Sequence, residues 1–239
     1  MDGSFVASFR AWLHWRRARA RQVVENEGPL VLLELVARKY LADYRRFRLY
    51  EHHHRAWPHG AFLPRLDHLE ERFISSNEEA DELARAHQDI RGLIANGRRG
   101  LASGAVAFCV YSGHEVAHVA WVATSERGRR AVDRLGYAVR FDDGEAWTGA
   151  AYTVPAFRGR GLLAYGCYRR FEYLLQRGCA VSRGAVEMSN MASHRATMRF
   201  EPRIYAIGRQ WRLMGKRWWR ERVVDWQCGA GGEGHPRGT

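Results

Sequence analysis

The chain has 239 residues, 46% of them hydrophobic, and a formal net charge of +12 with a sequence pI near 10.1. That is enough apolar material for one sizeable core, with or without a small appendage, and it excludes a disordered chain. The most apolar run, PLVLLELVA, is broken by Glu34, well short of the roughly 18 apolar residues that a membrane span needs.

The start, MDGS, lacks a basic leader followed by an apolar run and a small-residue cleavage site, so the expectation is a soluble, cytoplasmic chain. Cys109, Cys167, Cys179 and Cys228 form no CxxC pair and are expected to be reduced. The charge points to an anionic partner. Nearly all of it is arginine, since the only lysines are Lys39 and Lys216. A compositional bias explains that as readily as nucleic-acid recognition does, and nucleic acid is not the expected partner.

In chain order, FVASFRAWLHWRRARARQVV places Phe5, Phe9, Trp12 and Leu13 at helical spacing among Arg10, Arg16, Arg17, Arg19 and Arg21. The pattern predicts an amphipathic helix that packs its aromatic stripe on the main domain. Peripheral membrane contact through residues 1–25 is the competing reading. After Gly28-Pro29, LVLLELVARKYLADY predicts a second helix, so residues 1–45 are expected to form a helical extension.

RFRLYEHHH has strand composition, and residues 64–96, rich in Leu, Glu, Arg and Ala, suit one or two helices. GAVAFCVYSG and EVAHVAWVAT are short apolar runs parted by Ser112-Gly113, a hairpin signal. GEAWTGAAYTV predicts a third strand, LLAYGCYRRFEYLLQRG a helix closed by Gly178, and AVSRGAVEMS a fourth strand. A short helix over residues 190–199 follows. RIYAIGRQW and KRWWRERVVDW then flank Met214-Gly215 as a closing hairpin, and their alternating Arg and Trp fit strands with one buried face. The tail, residues 228–239, is glycine-rich and expected to be flexible, leaving residues 46–227 as one mixed α/β domain.

Residues 114–118 spell His-Glu-Val-Ala-His, the HExxH pattern of zinc peptidases. That chemistry needs a helix, which sets both histidines on one metal. Ser112 and Glu115 resemble a capping box, but the valine-rich flanks and the turn before the motif favour a strand. In a strand the two histidines stand about 13 Å apart and cannot share a metal. No further histidine follows at the expected spacing, and Glu126 or Glu145 would be an unsupported third ligand. No metal is expected there. In EHHHRAWPHG, His52, His53, His54 and His59 include neighbours that alternate faces along a strand, which fits a surface or substrate-groove segment better than a metal site.

In TVPAFRGRGLLAYG, a strand runs out at Val154-Pro155, and Arg158, Gly159, Arg160 and Gly161 lead into a helix. Glycines permit a tight turn and a close backbone approach, and the N–H groups of a first helical turn attract anions. About thirty residues on, a strand ends at Asn190, with Ser193 opening another short helix. With VPAFRGRG matching a pyrophosphate motif and NMASHRATMRF a later Asn-led motif, residues 97 to 225 resemble the GNAT family of acetyl-CoA-dependent N-acyltransferases.

The resemblance implies a GNAT-like fold, a mixed, mostly antiparallel sheet with splayed central strands flanked by helices. It implies acetyl-CoA as co-substrate, pantetheine amides pairing near Tyr152, Thr153 and Val154, and a diphosphate on the amides of Arg158, Gly159, Arg160, Gly161, Leu162 and Leu163. A backbone N–H near Val154 would polarise the thioester. Asn190 would bind pantetheine or a water. Glu187, then Glu145, are the candidate bases for deprotonating an amine, and Ser193 or Tyr205 the candidate donors to the leaving sulfur.

Two departures stand out. Leu163 replaces a small residue, so that its side chain must point away from the phosphates or the cofactor must shift, and Thr197 replaces the tyrosine often found in the later helix. They leave open a non-catalytic module binding CoA or another anion. The amine acceptor and a homo-oligomeric state are also open.

Overall fold

A computed structural model describes residue 29 and residues 42–86, 88–94, 96–228 and 234–236 of the chain. The helix expected over FVASFRAWLHWRRARARQVV lies outside these residues. One compact unit contains residues 46–209 and the chain from 219 onward, while residues 42–45 and 210–218 fall to a second. In that second unit the Tyr44 and Trp211 rings meet at a tilt of 36°, with centroids 5.5 Å apart.

The strands are β1 (Ala42–His53), β2 (Leu69–Ile74), β3 (Val106–Ser112), β4 (Glu115–Ala123), β5 (Glu145–Thr153), β6 (Val181–Glu187), β7 (Arg203–Leu213), β8 (Lys216–Cys228) and β9 (Gly234–Pro236). The helices are α1 (Asn77–Arg85), α2 (Gly97–Ala102), α3 (Glu126–Val132), α4 (Leu162–Leu175) and α5 (Met191–Met198). All nine described strands join one sheet in the order β2-β3-β4-β5-β6-β1-β7-β8-β9. Register runs antiparallel through β2-β3, β3-β4 and β4-β5, and again at β6-β1. β5 and β6 run parallel, joined by the crossover through α4. The architecture is therefore the mixed, mostly antiparallel α/β class that the sequence implied.

Burial explains why β3 and β4 read as nearly unbroken apolar runs, since both faces of these strands are covered. On one face Cys109, Tyr111, Val119 and Trp121 join Leu49, Ile90, Leu101, Tyr137 and Trp147. On the other, Phe108 and Val110 meet the α4 residues Leu162, Tyr165, Tyr168 and Phe171. Gly166 lets α4 settle closely on the sheet, because a β-carbon there would lie 2.6 Å from the His118 ring. Side-chain caps fix the starts of α1 and α5, as Ser76 accepts from the Glu79 amide and Asn190 from the Ser193 amide.

The expectations for the segments that form β1 and β2 are corrected. Ala42, Asp43 and Tyr44 open β1 instead of closing a helix. LEERFI, inside the stretch expected to be helical, forms β2, with Leu69, Glu71 and Phe73 half-buried, Glu70 and Arg72 exposed between them, and Ile74 buried at its end. Within the tail, Gly234–Pro236 pairs with Trp226–Cys228 as β9. The HExxH residues lie on the β3-β4 hairpin, with His114 in the turn and His118 wholly buried in β4. No helix holds the two histidines on one metal. Among the described residues, no group of three or more metal-binding side chains converges, and no helix is long and apolar enough to cross a membrane.

Candidate functional site

The site is built where the two parallel strands separate. β5 and β6 pair at Glu145 with Val181, Ala146 with Ser182 and Trp147 with Arg183. At the next step Gly184 brings β6 so close to β5 that a β-carbon would stand 2.7 Å from the Thr148 carbonyl oxygen. Beyond it β5 turns away. Its register with β4 shifts between Val119 and Trp121, and Ala150 takes a left-handed backbone with φ +45°. A bulge of this kind bends the strand and re-aims its peptide groups. β6 keeps pairing with β1 up to Glu187 opposite Phe47.

The parting opens a cavity of about 210 Å³. Its walls are Thr148 to Ala151 on β5, Gly184 to Glu187 on β6, and Leu163, Cys167 and Arg170 from successive turns of α4. Tyr50 and His52 of β1 and Asn190, Ser193 and Thr197 near α5 complete it.

At the mouth, next to Leu163, the chain turns through Gly159 and Gly161, with φ +78° and +87°. Only glycine takes such angles without strain. No atom lies within 4 Å of a β-carbon built at Gly159, so the loop presents bare backbone to open space. Gly161 precedes α4, and the amides of Leu162, Leu163 and Ala164 have no carbonyl a turn behind them to bond. Free amides at a helix start of this kind attract anions. Arg158 is tied by Nε to the Thr153 carbonyl at 3.2 Å, and the Arg160 guanidinium lies 5.6 Å from the centre of the Phe157 ring.

The candidate residues separate into those the fold gathers and those it does not. Glu187, Asn190, Ser193 and Leu163 line the cavity. Leu163 lies on the cavity wall beside the glycine turn. Asn190 spends its carboxamide oxygen on capping α5. Tyr152 and Thr153 sit further along β5, opposite Val119 and His118. The Val154 amide donates to the Ala117 carbonyl at 3.0 Å, so it is engaged within the sheet and not offered to a ligand.

Glu145 stands at the opposite end of β5, 4% exposed. It accepts from the Arg140 amide at 2.8 Å and from Arg140 Nη2 at 2.7 Å, and it pairs with Arg183 Nε at 2.9 Å. Burial pushes its pKa up, but the Arg140 and Arg183 bonds outweigh this and hold the carboxylate below its usual range. A carboxylate so engaged is an anchor for the base of the sheet and not a proton acceptor for a substrate.

Tyr205 also lies off the cavity, on β7, its ring 4.6 Å below the Arg183 guanidinium, and burial raises its pKa. His118 Nδ1 lies 2.8 Å from Thr153 Oγ1, and burial, then Arg170, bring its pKa down to about 3.

Sequence reasoning passed over Arg170, Thr148 and Tyr50, and took His52 only as part of a histidine run. One signal was available for Arg170, a charged residue three positions after Cys167 on the apolar face of an otherwise well-packed helix.

No protein-family profile matches the chain, and no curated protein sequence does. Solved structures resemble it at low identity. They include a putative GNAT-family acetyltransferase from Novosphingobium aromaticivorans, with 17% identity and TM-score 0.43 over 70% of this chain and 63% of that one. A GCN5-related N-acetyltransferase-like protein from Streptococcus suis matches with 13% identity and TM-score 0.46 over 82% and 69%. A Drosophila protein whose description states no function matches with 13% identity and TM-score 0.44 over 77% and 57%. The chain spans less than two thirds of the length of the first and third. Structures bearing the family name to which the motifs pointed are thus among those it resembles, though what the site can do follows from its own geometry.

Proposed function

We propose that the chain is an N-acyltransferase that moves an acetyl or other short acyl group from acyl-CoA to an amine by direct attack. The observation that carries this is the parting of β5 from β6 beyond Trp147 and Arg183, over a cavity that adjoins the bare glycine turn before α4. The turn and first amides of α4 take the diphosphate, and the backbone edge of Gly149 to Ala151, left without a β6 partner, takes the extended arm. An amide of that bulge, in place of the Val154 N–H, polarises the thioester carbonyl.

Glu187 takes a proton from the ammonium form of the acceptor, directly or through water. The amine nitrogen then bonds to the carbonyl carbon, the carbon–sulfur bond breaks, and the sulfur leaves with the electron pair. Ser193, on the cavity wall, is the candidate donor to it and is itself reprotonated by the proton the nitrogen gives up, giving an amide and free CoA. Arg158 and Arg160 flank the diphosphate turn as secondary sources of positive charge.

A second reading, binding without transfer, is favoured by Thr197, which occupies the wall where the resemblance expects a tyrosine. Calorimetric titration with CoA and thiol release from acetyl-CoA across an amine panel separate the two. Binding with amine-dependent release supports transfer, binding alone supports the second reading, and no binding of any CoA species refutes both.

A further inference from the structure

The cavity wall contains a buried cation with no carboxylate partner among the described residues. Arg170 is 3% exposed. Its Nε donates to the Gly166 carbonyl at 2.9 Å, Nη1 to the Trp121 carbonyl at 3.1 Å, and Nη2 to Cys167 Sγ at 3.4 Å. These contacts engage three of the five guanidinium N–H groups, and every acceptor is neutral. The equally buried Arg129, by contrast, has Glu126 at 3.1 Å. Holding a guanidinium in the interior without an anion is costly, and a ligand that supplies the anion relieves that cost.

Two more polar groups share this part of the wall. His52 is 6% exposed, and its Nδ1 is buried without a hydrogen-bond partner. Burial first, then His54 and Arg170, lower its pKa to about 3, so the imidazole is neutral. Thr148, also buried, offers a hydroxyl beside Gly184 at the point where the strands part.

Position along the groove says which part of a ligand meets them. Leu163, Cys167 and Arg170 lie on one face of α4, and Arg170 stands about 10 Å along the helix axis from Leu163. A thioester arm laid from the glycine turn into the parting therefore brings its acyl end to Arg170. An acetyl group carries no charge there, whereas an acyl group ending in a carboxylate does.

We propose that Arg170, His52 and Thr148 form a carboxylate subsite, so that the preferred donor is the CoA thioester of a short dicarboxylic acid. This rests on the acyl-CoA reading above. The carboxylate is a spectator in the transfer: the bonds made and broken are those already described, and the product amide keeps the free acid. Glu187, the other charged group on the wall, follows Ala185 on the opposite face of β6 from Val186 and Gly184, away from Arg170.

The test is calorimetric titration of the full chain with CoA, butyryl-CoA and succinyl-CoA, the last two having acyl chains of equal length. Succinyl-CoA is expected to bind at least about tenfold more tightly than butyryl-CoA, as a charge-assisted hydrogen bond predicts. Arg170→Gln should abolish this preference while CoA itself still binds, and Thr148→Val should reduce it. Equal binding of the two thioesters by the unmodified chain overturns the subsite but leaves the acyl-CoA reading standing, and this comparison needs no variant to fold. A preference that survives in a folded Arg170→Gln chain also overturns it. Failure of all three ligands to bind overturns the acyl-CoA reading and the subsite with it.

Discussion

Gly184 is the residue on which the parting of the strands turns, and Gly184→Ala probes it with one methyl group. The new β-carbon would lie 2.7 Å from the Thr148 carbonyl oxygen and 3.4 Å from its hydroxyl. The nearer atom is backbone, so no side-chain rotation relieves the contact. β5 is also held by β4, with Thr148 opposite Val122, and β6 by β1, with Gly184 opposite Tyr50. The two strands must therefore move apart by roughly 0.7 Å to reach ordinary van der Waals distance.

Overpacking of this kind costs about 1–3 kcal/mol, which lowers the melting temperature of a chain this size by roughly 5 °C. The parting then begins lower on the strands, the Gly149 to Ala151 edge shifts away from the cradle, and affinity for CoA is expected to fall about tenfold. Gly60→Ala is the control, because nothing lies within 4 Å of its β-carbon, and it should change stability by less than about 0.5 kcal/mol. Scanning calorimetry and titration with CoA read both effects. If the Gly184→Ala chain melts with the unmodified one and binds CoA as tightly, Gly184 does not set the parting and the account of the site is wrong.

Glu187→Gln should leave CoA binding intact and lower thiol release by about 10²–10⁴-fold, and release at the unmodified rate would remove Glu187 from the mechanism. Glu145→Gln should do the reverse. Neutralising the partner of Arg140 and Arg183 costs about 3 kcal/mol in urea unfolding, while turnover below the transition stays within a few-fold, and a selective loss of turnover would return Glu145 to the site. Acid should destabilise the fold before the carboxylates titrate. His52 and His118 take protons near pH 6.5 when unfolded but only near pH 3 when folded. The unfolded state therefore binds more protons in between, and stability, full above pH 6.5, declines as pH falls. At pH 5 the loss is roughly 2 kcal/mol per histidine. Equal urea midpoints at pH 7.5 and pH 5 would contradict the burial of these rings.

Elements whose patterns are local were legible in the sequence. The β3-β4 hairpin announces itself through Ser112-Gly113 between two apolar runs, and α4 through the glycine turn at its start and Gly178 at its end. β2 was not legible, because LEERFI has strand alternation on only one face and lies among good helix formers. β1 read as a strand, but nothing local says that it belongs between β6 and β7. That placement is decided by pairings as distant in sequence as Leu49 with Ala185 and His52 with Ser182.

The same division explains the candidate site. Its cradle is one continuous segment, so Gly159 and Gly161 could be identified from their neighbours. The cavity wall draws His52, Thr148, Arg170 and Glu187 from four elements, and no spacing relates them. Glu145 and Glu187 look alike as strand carboxylates; they differ because Arg140 and Arg183 converge on Glu145, while the divergence of β5 leaves Glu187 on the cavity wall. An arginine on the buried face of α4 has a similar double meaning. With an acid folded against it, as Glu126 is against Arg129, it is part of the scaffold. Surrounded by the carbonyls of Gly166 and Trp121 and the sulfur of Cys167, it has three of its five donors engaged and an unbalanced charge. Since the described residues supply hydrogen bonds to Arg170 and no carboxylate, the charge that completes it is the ligand's to bring.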